Sequence, residues 1–125
     1  MILAPISVGE LVDKITILDI KESEYTDQVK LAHVAKEKAQ LEKLFYDIEV
    51  NLAAEISELL IVNKIIWDNE DLARQYQKTG TFDQGFMDLA NSTYKANTRR
   101  AEIKKTINQK CNSEIVETKS YMSGD

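Results

Sequence analysis

The residues best equipped for chemistry in this sequence are polar side chains that fall on apolar helical faces. Steps of three and four through the third amphipathic segment give Ile56, Leu60, Asn63, Trp67, Glu70 and Arg74. The same walk through the fourth segment passes Thr93, Asn97, Arg100 and Lys104, and the first segment's series continues from Leu18 to Glu22. Positions spaced this way share one side of a helix, so these residues are expected to face inward. Buried charge is costly unless it is paired and hydrogen-bonded. Glu22, Glu70, Arg74, Arg100 and Lys104 have the signs to neutralise one another, and Glu70 stands four residues before Arg74. The spacing therefore predicts Glu70 on the inner face, against Arg74 or Arg100, with Glu55 on the solvent side. Trp67 reads as core, its indole N–H served by Asn63 or Glu70.

Three explanations fit such a pattern. The helix ends can be less buried than the series implies, with the charges reaching solvent. The polar residues can form a satisfied network that fixes the register of the fold. Or they can line a pocket in which Arg74, Asn97, Arg100 and Lys104 receive an anionic or hydroxyl-rich ligand. The candidate ligand-binding set on the third explanation is Glu22, Asn63, Trp67, Glu70, Arg74, Asn97, Arg100 and Lys104, with no catalytic residue or cofactor assigned.

Other chemistries find less support. Glu55 with Glu58, and Asp68 with Asp71, have i, i+3 spacing, but both pairs lie on one helix. They cannot clasp a magnesium ion between helices as an all-α nucleotide pyrophosphohydrolase does. A cation held across helices by Glu22 and Glu70 keeps a metal-dependent nucleotide hydrolase as a lower alternative, and no metal ligand is assigned. Cys111 and Ser7 lack an evident base, because His33 lies off its apolar stripe. Ser7-Val-Gly-Glu10 could present a helix N-terminus to phosphate, but a capping box accounts for both Ser7 and Glu10.

Four amphipathic segments must position these residues. The first opens at Ser7, with Ile6 and Leu11 as a hydrophobic staple, and runs to about Glu24. The second starts at an Asp27 cap and carries Leu31, Val34, Leu41, Phe45 and Ile48, with Lys38 between them. A turn is expected near Asn51, although no glycine or proline marks it. The third ends near Lys78 with Gly80 in the left-handed conformation. Thr81 to Gln84 repeats the capping-box pattern and opens the fourth, which runs to about Lys110 and ends at Asn112. The tail from about residue 113 has only Ile115, Val116 and Tyr121 to bury and is expected to be partly ordered. The whole reads as one helical domain over residues 1–125, an all-α antiparallel bundle of about four helices.

Composition agrees. Four glycines and one proline leave few turns for a many-stranded sheet. A formal net charge of −5 argues against nucleic acid and anionic lipid as partners. No apolar run approaches the ~20 residues that span a bilayer, and the opening six residues are too short for a secretory signal core. One cysteine excludes an internal disulfide, so the cytoplasm is the expected location.

The chain also resembles an uncharacterised family of short all-helical bacterial and phage proteins. The resemblance rests on the opening Met1-Ile-Leu-Ala-Pro-Ile-Ser-Val-Gly-Glu10 and on Asp13-Lys14-Ile15-Thr16-Ile17-Leu18. It continues with Val62-Asn63, Trp67-Asp68, Glu70-Asp71 and Arg74, then Tyr94, Asn97, Arg99-Arg100, Lys104, Ile107-Asn108, Glu117, Lys119 and Tyr121. A weaker similarity ties the Trp67-to-Asp71 stretch to a second helical family. What the resemblance implies is an association with glycosyltransferase and surface-polysaccharide functions, not a mechanism. The expected function is binding of a small anionic or sugar-containing molecule between helices. The alternative is a helical interaction module, self-associating into a homo-oligomer, whose inward polar residues are structural.

Overall fold

The structure is a computed structural model that describes residues 1–119. Among them are four helices, α1 (Val8–Glu24), α2 (Gln28–Phe45), α3 (Ala53–Thr79) and α4 (Gln84–Lys110), and no strand. The expected all-α antiparallel bundle is what forms. Tyr121 lies outside the described residues.

Local chemistry sets the boundaries. Asp27 caps α2 by accepting the Val29 and Lys30 N–H groups at 2.8 and 3.0 Å. The expected turn between α2 and α3 is present, and Asn51 Oδ1 accepts the Ala53 N–H at 3.0 Å to start α3. Gly80 ends α3 at φ 67°, where Thr81 N–H reaches back to the Tyr76 carbonyl at 3.1 Å. Asn112 follows α4 at φ 54°. One boundary differs: Asp83, not Thr81, caps α4, accepting the Phe86 N–H at 3.1 Å.

α3 and α4 form a long antiparallel hairpin. α1 lies parallel to α3 and antiparallel to α4, touching both as well as α2, whereas among the described helices α2 packs on α1 alone. The common core is Val12 from α1, Leu52 from the α2–α3 link, Leu59 and Val62 from α3, and Ile103 and Ile107 from α4. At 1.5 Å rise per residue, the 27-residue α3 is about 40 Å long against about 25 Å for the 17-residue α1. The hairpin therefore overhangs. Tyr25, just past α1, packs its ring at a tilt against Trp67 with centroids 5.8 Å apart. Beyond that point α4 is the only element beside α3 among the described residues. Tyr76, Phe82 and Phe86 tie the tip together through edge-on ring contacts.

This geometry corrects the inner face predicted for α3. Glu70 and Arg74 lie in the overhang and are exposed, and Arg74 pairs with Asp71 on its own helix. Glu55, expected on the solvent side, is 6% exposed and ion-paired to Lys110 of α4. The buried face of α3 runs through Glu55, Leu59, Val62, Asn63 and Ile66. It sits about one residue's rotation from the series that steps from Ile56 to Arg74.

Candidate functional site

The central feature is Asp13, which is 0% exposed. Its carboxylate accepts Arg100 Nε at 3.0 Å and a second Arg100 N–H, the two-point arrangement that guanidinium and carboxylate favour. Asn63 of α3 donates to the same carboxylate at 2.9 Å and to the Thr16 hydroxyl at 2.9 Å. Thr16 in turn donates to the Asp13 carbonyl at 2.7 Å. Residues from three helices thus share one buried charge. The guanidinium of Arg100, beside Asp13, is held above its ordinary pKa despite the opposing effect of burial.

One turn along, Lys104 is buried and reaches Glu10 at 2.6 Å and Glu117 of the tail at 2.8 Å, with Asp13 at 4.0 Å. Burial disfavours its ammonium form, but the two bonded carboxylates outweigh that and its pKa is raised. Glu117, bonded to Lys104 and to Lys119, is pushed down to about 2.

The start of α1 is built into this ladder. Val8 N–H donates to the Ser113 hydroxyl at 3.1 Å, Gly9 N–H to Asn108 Oδ1 at 2.7 Å, and Glu10 N–H to the Ser7 hydroxyl at 3.0 Å. These amides would otherwise be the free donors of a helix N-terminus, so the phosphate-binding use of Ser7-Val-Gly-Glu10 is taken up by the protein itself. Ser7 caps as expected, but Glu10 turns its carboxylate to Lys104 rather than closing the box. Gly9 is required by close approach: a Cβ there would lie 2.6 Å from the Lys104 carbonyl oxygen. No other residue lets α1 and α4 come together at that point without a shift.

Outside this network lies a cleft of about 330 Å³ between α1, α4 and the tail, lined by Glu10, Asn97, Arg100, Ala101, Lys104, Lys105, Asn108, Glu117 and Lys119. Of the candidate set, Asn97, Arg100 and Lys104 line it, and Asn63 lies beneath, behind Asp13. The other four stand elsewhere. Glu22 is exposed and binds Lys38 of α2 at 2.6 Å, Trp67 stacks on Tyr25, and Glu70 and Arg74 are in the overhang. Asn63, the expected partner of the Trp67 indole, gives its amide to Asp13 and Thr16 instead. Glu22 being committed to Lys38, the cation site imagined with Glu70 gains no support. Among the described residues, no three His, Cys, Asp or Glu side chains are grouped to hold a metal.

Asp13, Glu10, Asn108 and Glu117 were missed as site residues. For Asp13 the signal was only partial: it shares a face with Thr16, Ile17 and Ile20, so α1 carries apolar residues beyond its Val8, Leu11, Ile15 and Leu18 stripe.

Fold and site together define an all-α four-helix protein with a buried three-helix ion-pair network beneath an open polar cleft. The chain belongs to the family of unknown function DUF6165, which matches residues 2–124. No curated protein and no solved structure matches it.

Proposed function

We propose that the protein binds a small, anionic, hydroxyl-bearing molecule in the cleft between α1, α4 and the tail. The observation that carries this reading is the state of Asn97 and Lys105. Both line the cleft, and neither side chain has a hydrogen bond or ion pair among the described residues. They stand beside Arg100 and Lys104, whose positions are fixed by Asp13 and Glu10. Cationic linings outnumber anionic ones, with Arg100, Lys104, Lys105 and Lys119 against Glu10 and Glu117. A rigid floor with free donors at the rim suits a ligand that needs few rearrangements on binding. A sugar carrying a phosphate or carboxylate, as used in surface-polysaccharide metabolism, has the right size and groups.

The test is a thermal-shift screen of hexuronates, sugar phosphates and sugar nucleotides. A ligand at 100 times its Kd adds about 2.7 kcal/mol of stability. Asn97→Ala and Lys105→Ala should fold as wild type, since neither residue supports the network, and should lose the ligand-induced shift. If no member of the panel stabilises the protein, the reading fails. The interaction-module alternative then stands, favoured by the exposed Ile61, Ile65 and Leu72 on α3.

A further inference from the structure

The tail crosses the cleft in a specific way. Ser113 is anchored at both sides, its hydroxyl accepting Val8 N–H and donating to the Ile115 carbonyl at 2.7 Å, and its N–H bonding the Asn108 carbonyl at 2.9 Å. Past Ser113 the apolar anchors give out: Ile115 and Val116, two of the tail's few apolar residues, are both exposed. The next firm contact is Glu117, whose carboxylate spans Lys104 at 2.8 Å and Lys119 at 2.5 Å. Between residues 113 and 119 there is neither helix nor strand. The tail is thus anchored firmly at Ser113 and held at Glu117 by charge.

We propose that Glu117 is an internal stand-in for the ligand's anionic group, and that a phosphate or carboxylate entering the cleft takes its place on Lys104 and releases the tail. This deepens the binding function proposed above and rests on it. Three features support the exchange. Lys104 is 9% exposed, and Glu10 reaches it from within helix α1, whereas Glu117 reaches it from the non-helical tail and can leave together with its own segment. Glu117 already lines the cleft rather than the core. Its geometry also shows what this position accepts: one carboxylate, bonded by two ammonium groups, with Lys105 nearby for a second charge. A monoanionic carboxylate matches Glu117 one for one, and a phosphate monoester adds an oxygen and charge that Lys105 can meet. Free inorganic phosphate and the phosphate of a sugar ester share this chemistry and differ only in the contacts their remainder makes with Asn97.

The test uses the full chain, with inorganic phosphate, glucose 1-phosphate and uncharged glucose as probes. Binding is followed by NMR, and tail release by amide hydrogen exchange of residues 115–119. Both phosphates should bind and speed exchange of those amides in wild type, whereas glucose alone should not. Glu117→Gln keeps the shape and removes the charge, so the cleft no longer has to open first. The variant should show fast tail exchange without ligand and bind phosphate about fivefold or more tighter, because the occupied fraction no longer lowers apparent affinity. Tighter binding of glucose 1-phosphate than of inorganic phosphate would support the sugar ester as the source, and equal binding the free anion. If Glu117→Gln binds with wild-type or weaker affinity while wild type binds, the stand-in idea is overturned and the binding function survives. If neither protein binds any probe, both are overturned.

Discussion

At the residue scale, the fate of each charge follows from how many helices surround it. Asp13 is enclosed by α1, α3 and α4, and Arg100 and Asn63 answer its carboxylate there. Removing it leaves a guanidinium that is partly buried and unanswered. Asp13→Ala should therefore cost about 3–5 kcal/mol in urea unfolding. Glu55→Ala should cost less, about 1 kcal/mol, since its partner Lys110 can turn to water. Glu70→Ala should fall within about 0.5 kcal/mol of wild type, as exposed substitutions do. A large loss at Glu70 with none at Asp13 would contradict the packing described above.

At the scale of elements, helix length governs order. α1 is the hub, and the parts of α3 and α4 beside it hold the buried residues Leu59 to Ile66 and Ala96 to Asn108. The overhang carries no buried residue after Ile66 in α3 or before Ala96 in α4. Among the described helices α2 packs on α1, through Val34 and through Lys38, which reaches Asp19 and Glu22 at 2.6 Å each. Those two carboxylates raise the Lys38 pKa in spite of partial burial. Local stability tracks apolar burial. Native-state hydrogen exchange should be slowest in residues 59–66 and 96–108, intermediate in α2, and fastest in residues 70–79 and 84–94. Uniform protection along the whole α3–α4 hairpin would show that the overhang is covered by something else.

At the scale of the whole molecule, the tail is joined to the bundle by charge and so depends on pH. The Glu117 carboxyl, which ordinarily titrates near 4.5, is held at about 2 in the fold, chiefly by Lys104 and then Lys119, with burial opposing. A depressed folded pKa means that its contribution is full above the unfolded value and is lost as pH falls through the folded one. Amide shifts of residues 113–119 should therefore be constant from pH 7 down to about 5. They should move toward the released state between about pH 4.5 and 2. Release centred near pH 6 would point to a different group.

Much of this protein was legible in its sequence, because the signals were local. A 3.6-residue period, an Asp27 cap, a glycine at position 80 and an asparagine at 112 depend on a few neighbouring residues, and they fixed helix number, order and most boundaries. The inward placement of Asn63 and Lys104 was read the same way, from their positions in the periodic series of α3 and α4. Which end of a stripe is buried is not a local property. Glu70 and Arg74 continue the period of α3 faithfully, yet α1 stops after 17 residues and leaves them in solvent. Turning α3 by about one residue likewise puts Glu55 inside. Asp13 and Glu10 read as ordinary helix residues until α4 is laid against α1, over a glycine that permits the contact. Periodicity names a face of a helix, but only the packing of a second and third helix decides how far along that face water is excluded.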